Sequence, residues 1–168
     1  MARDTLSTLA TLAGSRLKAK GERLVTAESC TGGWVAQSVT AIAGSSDWFE
    51  RGFVTYSNES KQDLLGVRAE TLARSGAVSE ETAREMALGA LAASRGSLAV
   101  AITGVAGPSG GTPAKPVGMV CLAWAGKNRA ARSETRHFTG DRESVRRQSV
   151  MRALQGIIEW LDGAAARD

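Results

Sequence analysis

The segment LAVAIT, residues 98–103, is the feature of the sequence that most restricts how the chain can fold. It is a nearly continuous apolar run, and such a run is typical of a strand that is covered on both faces. A strand of this kind needs packed layers on both sides of its sheet. The segment therefore predicts a central strand of a layered α/β protein.

Helix and strand patterns alternate along the rest of the chain. Short strands are predicted at residues 23–27, 48–56, 117–125 and 130–138. Apolar spacing and cap residues predict helices over the first twenty residues and over residues 31–43, 58–66, a short stretch to 75, 79–95 and 141–161. We therefore predict an α/β fold, a three-layer α/β/α sandwich with a mostly parallel mixed sheet, as one domain over residues 1–168.

Composition excludes several classes of protein. No window approaches the roughly 18 consecutive apolar residues that a membrane span needs, and the N-terminal residues mix charged and polar types with apolar ones, unlike a signal peptide. Cys30 and Cys121 are too few for a disulfide framework, so a reducing compartment fits best. We expect a soluble cytoplasmic protein that does not associate with a membrane.

The charged residues indicate a small anionic ligand. The net charge is only +4, and no basic stripe is interleaved with aromatic residues, so nucleic-acid binding is not expected. The single histidine, His137, has no partner cysteine or acidic cluster, so we predict no metal site and no cofactor. A few arginines near the C-terminus suit an anion such as phosphate.

Two segments are predicted to carry the chemistry, because ligands of α/β sheets bind beyond the carboxyl ends of parallel strands. The first is TAESCTGGW, residues 26–34, which leaves a strand and enters a helix. The second is the glycine-rich loop of residues 103–118, whose length and composition favour a ligand cradle over a plain surface connection. Neither segment matches the dinucleotide-binding or P-loop motifs.

Five blocks, taken in order, resemble the motifs of the CinA C-terminal domain family from about residue 6 to residue 161; they are TAESCTGG, GFVTYSNESKQDLLGV, GAVSEETAREMA, AITGVAGPSGGTPAKPVG and FTGDRESVR. The resemblance implies hydrolysis of nicotinamide mononucleotide to nicotinate mononucleotide and ammonia. It also implies a homo-oligomer, most simply a dimer. Longer CinA proteins carry an additional N-terminal domain with its own activity, and we expect a stand-alone form here without that activity.

Amide hydrolysis needs an activated nucleophile and donors for the developing oxyanion. Position alone favours Ser29 as a helix cap, whereas the resemblance makes it the nucleophile, with the N–H groups of Cys30 and Thr31 as oxyanion donors. Cys30 is the rival nucleophile, because a helix N-terminus lowers the pKa of a thiol. The resemblance favours a packing role for Cys30.

Tyr56 and Lys61 are the predicted proton-transfer partners of Ser29. Lys61 is predicted in the first turn of a helix, where partial positive charge disfavours a further ammonium and so favours a neutral general base. Either residue alone fits a solvated lysine or a core tyrosine, and the resemblance decides for catalysis. His137 lies within a predicted strand, and we interpret it as structural.

The remaining predicted site residues bind the substrate. Arg142, at the start of the last helix, is predicted to offer a guanidinium fork to phosphate, although a surface ion pair is equally compatible with its position. The backbone of Gly32, Gly33 and Gly107 is predicted to approach the ligand closely, and Thr103 and Gly104 to contact its ribose or nicotinamide end. A non-catalytic nucleotide-binding module of the same fold, and a hydrolase of another small amide, remain alternatives.

Overall fold

The computed structural model describes residues 2–163, and side chains from residue 5 onward. Met1 and residues 164–168, which the predicted domain includes, lie outside the described residues. The described strands are β1 (Leu24–Glu28), β2 (Phe49–Val54), β3 (Leu98–Gly104), β4 (Met119–Gly126) and β5 (Arg129–His137). The described helices are α1 (Ala2–Lys20), α2 (Trp34–Thr40), α3 (Asn58–Leu65), α4 (Ala69–Ser75), α5 (Glu80–Ala92) and α6 (Arg142–Leu161), with a short 3-10 helix at Ser45–Asp47.

The five described strands form one mixed sheet in the order β2-β1-β3-β4-β5. β1 pairs in parallel with β2 and β3, whereas β3–β4 and β4–β5 are antiparallel. The α/β class and the mixed sheet are confirmed, but parallel pairing does not predominate. The cause is local: no helix separates β3 from β4, and a tight turn with Asn128 at φ 65° joins β4 to β5, so neither connection makes a parallel crossover.

Helices cover both faces of the sheet, which confirms the three layers. The LAVAIT strand shows the division, because Leu98, Val100 and Ile102 pack with α1, α2 and α6. The alternate residues Ala99 and Ala101 pack with α5 on the other face. Such alternation is required of any strand, and here both sets of side chains are apolar because both faces are covered. None of the described helices is long and apolar enough to cross a membrane.

Helix α2 is shorter than predicted, running from Trp34 to Thr40 instead of over residues 31–43. Gly32 and Gly33 adopt φ values of 60° and 104°, which interrupt the helical conformation before Trp34. Residues 29–33 therefore form a turn between β1 and α2, here called the Ser29 turn. The shift matters for function, because the predicted nucleophile precedes the helix by several residues.

Helices α3 and α5 are in direct backbone contact. A Cβ atom placed on Gly89 of α5 would lie 1.8 Å from the carbonyl oxygen of Leu65, the last residue of α3. Glycine is thus the residue that allows this approach. Ser57 caps the other end of α3: its hydroxyl accepts from the Ser60 N–H, and its own N–H donates to the Ser60 hydroxyl, which completes a capping box. Helix α3 is held at both ends, and it carries Lys61.

Candidate active site

The Ser29 turn is fixed at its start by the sheet. The backbone N–H of Ser29 donates to the carbonyl oxygen of Ile102 on β3, at 2.9 Å. The N–H of Gly32 then donates back to the carbonyl oxygen of Ser29, at 3.0 Å. These two bonds hold Ser29 at the carboxyl end of β1, where α/β sheets bind their ligands.

Lys61 meets Ser29 inside the protein. Its Nζ lies 3.1 Å from Ser29 Oγ, 2.8 Å from the carbonyl oxygen of Thr55 and 3.4 Å from that of Tyr56. Lys61 is only 1% exposed, and within residues 5–163 no carboxylate forms an ion pair with it. Burial therefore lowers the pKa of Lys61 from the usual value near 10.5.

The three contacts of Lys61 suit a neutral amine. A neutral amine has two N–H groups and one lone pair, and two carbonyl oxygens stand ready to accept the N–H groups. As an ammonium, Lys61 donates to Ser29 Oγ; once that proton is lost, the lone pair points along the same 3.1 Å contact and can accept the proton of the Ser29 hydroxyl. The arrangement is that of a nucleophile hydrogen-bonded to its general base.

Cys30 lacks the properties of a competing nucleophile. Its thiol is buried, and desolvation raises the pKa of Cys30 to about 12. The prediction that a helix N-terminus lowers this pKa is wrong, because the structure starts α2 at Trp34, beyond the two glycines. At neutral pH the sulfur of Cys30 is therefore a thiol and a weak nucleophile.

Tyr56 lies on the rim of the site. Its side chain is 64% exposed, and its hydroxyl accepts a hydrogen bond from Arg142 Nη2 at 3.2 Å. Only its backbone carbonyl contacts Lys61. The predicted proton relay requires the phenol to contact Ser29 or Lys61. In the structure the phenol is instead hydrogen-bonded to Arg142. The family resemblance predicted Tyr56 at the site, but the direction of its side chain depends on tertiary contacts.

Arg142 connects three segments at the mouth of the site. It is the first residue of α6, whose cap is the Asp141 carboxylate. Its Nη1 donates to the carbonyl oxygen of Gly107 at 2.8 Å, and its Nη2 to the Tyr56 hydroxyl. The arginine therefore joins the start of α6, the glycine-rich loop and Tyr56, two residues beyond the end of β2.

A cavity of about 360 Å³ collects most of the predicted site. We call it the Ser29 cavity. The predicted residues that line it are Ser29, Cys30, Tyr56, Lys61, Thr103, Gly104, Gly107 and Arg142. Thr103 is fixed there by a 2.8 Å hydrogen bond from its hydroxyl to the carbonyl oxygen of Ala77. His137 is exposed at the end of β5 and is not part of this lining.

The other three predicted residues lie next to this cavity. Thr31, Gly32 and Gly33 line an adjoining groove of about 770 Å³ together with Trp34 and Arg146, and Arg142 borders both spaces. Thr31 is fully buried, and its hydroxyl donates to Glu28 Oε1 at 2.6 Å. The Thr31 hydroxyl is thus used by Glu28 and the two glycines have no side chain, so a direct contact with a ligand in the Ser29 cavity would have to come from backbone groups.

Two charged residues that the sequence reasoning missed hold the Ser29 turn. Glu28 is 1% exposed, and its carboxylate also accepts the backbone N–H groups of Val35 and Ala36 at 2.9 and 3.1 Å. The sequence does contain a signal for the role of Glu28, which is a charged residue at the end of a buried strand. A buried carboxylate needs hydrogen-bond donors, so such a residue predicts contacts with nearby N–H or O–H groups. Arg146 binds the turn from α6, and no local pattern indicates a contact between residues so far apart in sequence.

Among residues 5–163, no group of three or more His, Cys, Asp and Glu side chains is placed to hold a metal ion. The charged groups around the site are instead a buried carboxylate, a buried amine and two arginines. Such a set is suited to acid-base chemistry on an anionic ligand.

The fold is a layered α/β structure, and its cavity holds a buried serine and lysine pair with arginine at the entrance. These features define a nucleophilic hydrolase of small anionic substrates. The chain belongs to the CinA C-terminal domain family, whose model matches residues 6–161. It is 55% identical to the nicotinamide-nucleotide amidohydrolase PncC of Escherichia coli strain K12, over 94% of this chain and 95% of that one.

Further relatives and a solved structure agree with this. The chain is 52% identical to the enzyme of the same name from Pseudomonas putida, over 93% of this chain and 97% of that one. The crystal structure of the competence/damage inducible protein CihA from Agrobacterium tumefaciens superposes with a TM-score of 0.90 at 45% identity, covering 94% of this chain and 96% of that one.

Proposed function

We propose that the chain hydrolyses the carboxamide of nicotinamide mononucleotide, giving nicotinate mononucleotide and ammonia. The observation that carries this proposal is the 3.1 Å contact between Ser29 Oγ and the buried amine of Lys61, which forms no ion pair within residues 5–163. The names of the relatives supply the substrate class, and the sequence motifs are those of the same family.

Acylation begins when the neutral Lys61 amine takes the proton of the Ser29 hydroxyl as Oγ attacks the carboxamide carbon. The carbonyl oxygen gains the negative charge, and the N–H groups of Cys30 and Thr31 bind it. No residue accepts the backbone N–H of Thr31 among residues 5–163, whereas the N–H of Ser29 is already used by the sheet. The intermediate collapses as the Lys61 ammonium protonates the amide nitrogen, and ammonia leaves.

Deacylation repeats these steps with water as the nucleophile. The ester on Ser29 is attacked by a water molecule that loses its proton to Lys61, and the returning proton regenerates the serine hydroxyl as nicotinate mononucleotide departs. No metal or cofactor is needed in either half-reaction, so we propose that the enzyme uses none.

Arg142 is proposed to bind the phosphate of the substrate. Its guanidinium is already held by the Gly107 carbonyl and the Tyr56 hydroxyl, which orients it at the mouth of the cavity. Tyr56 then acts beside the phosphate as a hydrogen-bonding group. Thr103, Gly104 and Gly107 form the wall against which the ribose and the ring lie.

We also propose that the enzyme is cytoplasmic, forms a homodimer, and binds neither nucleic acid nor membrane. The mild net charge of +4 supports the absence of a nucleic-acid partner. The dimer is tested by light scattering of the eluted protein, where a monomer mass at micromolar concentration would contradict it.

The direct test is to incubate the purified protein with nicotinamide mononucleotide and to measure ammonia and nicotinate mononucleotide in parallel. The proposal requires equal amounts of both products, and activity that survives thorough chelation. Binding of the mononucleotide without release of ammonia would identify a non-catalytic binding module instead. Release of ammonia only from other small amides would assign the same serine and lysine pair to a different substrate.

A further inference from the structure

Arg146 lies outside the Ser29 cavity but holds the backbone of the Ser29 turn. Its Nε donates to the carbonyl oxygen of Cys30 at 3.0 Å, and its Nη2 to that of Thr31 at 3.2 Å. The guanidinium lines the adjoining groove, beside the Trp34 ring at 5.6 Å. Both of these hydrogen bonds to the turn are accepted by backbone carbonyl oxygen atoms.

The contact with Cys30 fixes the direction of the next backbone N–H. A peptide bond is planar and trans, so the N–H of Thr31 points opposite to the carbonyl of Cys30. Because that carbonyl faces Arg146, the Thr31 N–H is turned away from the groove that Arg146 lines. Rotation of this peptide would break the hydrogen bond to Arg146.

The Thr31 N–H is a buried donor in need of an acceptor. Thr31 is fully buried, and no atom of residues 5–163 accepts a hydrogen bond from its backbone N–H. Buried N–H groups are almost always paired, so an unpartnered one two residues after the nucleophile is suited to an acceptor that forms during the reaction.

We propose that Arg146 is a positioning residue that orients the Thr31 N–H as an oxyanion donor for the Ser29 reaction. The proposal rests on the amidase function proposed above. It assigns to Arg146 a role in transition-state stabilisation without contact with substrate, and it separates Arg146 from Arg142, which is proposed to bind the phosphate.

The test compares Arg146→Ala and Arg146→Lys with the matched control Arg147→Ala. Arg147 also lies over the Trp34 ring, at 5.2 Å, but its guanidinium pairs with Glu143 on the same helix. We expect Arg146→Ala to lower kcat by about 10- to 100-fold, as for a weakened oxyanion donor, with KM changed by less than about twofold. Arg146→Lys should recover part of the loss, and Arg147→Ala should leave kcat near that of the unchanged protein.

Two further readouts separate orientation of the donor from a general loss of structure. The aldehyde analogue of the mononucleotide adds Ser29 Oγ at its carbonyl carbon and places an oxygen where the oxyanion forms. Its dissociation constant should rise in Arg146→Ala by the factor by which kcat falls. Added guanidinium ion should restore part of kcat in Arg146→Ala, while ammonium ion at equal concentration should not.

The outcomes are distinct. If the unchanged protein releases no ammonia from the mononucleotide, the proposed function fails, independently of Arg146. If the unchanged protein is active, a near-normal kcat in Arg146→Ala, an equal loss in Arg147→Ala, or unchanged binding of the aldehyde overturns the role of Arg146. Should Arg146→Ala fail to fold, the folded Arg146→Lys variant decides by the same ratio of kcat to aldehyde affinity.

Discussion

Replacing Lys61 with methionine removes the amine from the Ser29 cavity and retains a long, unbranched side chain. The amine contacts the nucleophile and two carbonyl oxygens, so its loss removes the general base without touching the phosphate end of the site. We expect kcat to fall by about 10²- to 10⁴-fold, the usual contribution of a general base, with little change in KM.

The same substitution changes how stability depends on pH. Burial lowers the pKa of Lys61 below 10.5 in the folded protein, whereas the unfolded chain keeps the usual value. Between these two pKa values the unfolded state binds more protons, so the free energy of unfolding rises with pH by at most about 1.4 kcal/mol per pH unit. Below the lowered pKa both states are charged and the penalty for burying the ammonium is complete; above 10.5 it is absent.

The assay is urea unfolding of the unchanged protein and of Lys61→Met across a series of pH values, with ammonia release measured at the same points. Lys18→Met is the control, because the Lys18 side chain is 69% exposed beside Asp47. The difference in stability between the unchanged protein and Lys61→Met should move in favour of the unchanged protein as pH rises through the window. Its turnover should rise over the lower part of the same window as the amine loses its proton.

A pH-independent difference in stability between the two proteins would refute the argument that Lys61 is buried without a counter-ion. So would a rise in turnover whose midpoint lies at or above 10.5. An active Lys61→Met protein would remove lysine from the mechanism altogether.

Three other substitutions test separate parts of the structure. Ser29→Ala should lose nearly all ammonia release, on the order of 10³-fold or more, while Cys30→Ala keeps substantial activity; the reverse result would move the nucleophile to the thiol. Arg142→Ala should raise KM for the mononucleotide by about tenfold or more and leave turnover of the dephosphorylated riboside unchanged, and equal losses on both substrates would exclude phosphate binding. Gly89→Ala should destabilise the protein by about 1–3 kcal/mol in urea unfolding, because its Cβ would meet the Leu65 carbonyl at 1.8 Å, and a more stable variant would disprove that contact.

The layered fold could be predicted because its signals are local. An apolar run such as residues 98–103 is stable only between two covered faces, and the structure places those residues in the two apolar clusters on either side of the sheet. The capping residues of α3, α5 and α6 are also local, because Ser57, Ser79 and Asp141 bind backbone N–H groups three residues ahead. Motif resemblance then indicated Ser29 and Lys61, which the structure brings together.

The start of α2 could not be predicted from apolar spacing. The spacing of Trp34, Val35 and Val39 fits a helix, but it does not reveal that Gly32 and Gly33 adopt positive φ. Glu28 and Arg146 hydrogen-bond to the turn that contains these two glycines. Apolar spacing therefore predicts a helix that begins several residues too early, because it does not register the positive φ of the two glycines.

The direction of the Tyr56 side chain also could not be predicted from the sequence, because it depends on a contact between distant segments. The family resemblance pairs Tyr56 with Lys61, and both residues line the cavity. The phenol nevertheless turns to Arg142, which is 86 residues away in sequence and reaches it from the start of α6. Contacts of this kind depend on how helices dock on the sheet, and one sequence without aligned relatives does not specify them.

Because β3 and β4 are antiparallel neighbours, the length of the glycine-rich loop between them is not fixed by the rest of the sheet. The loop both leaves and re-enters the sheet at the edge where Ser29 lies, and its base is closed by hydrogen bonds in both directions between residues 105 and 118–119, at 2.8 and 2.9 Å. A change in the length of this loop therefore leaves strand register and the apolar layers intact while it reshapes one wall of the cavity. Exchange of the loop between relatives is thus a direct route to altered substrate preference, with the serine and lysine pair carried unchanged on the scaffold.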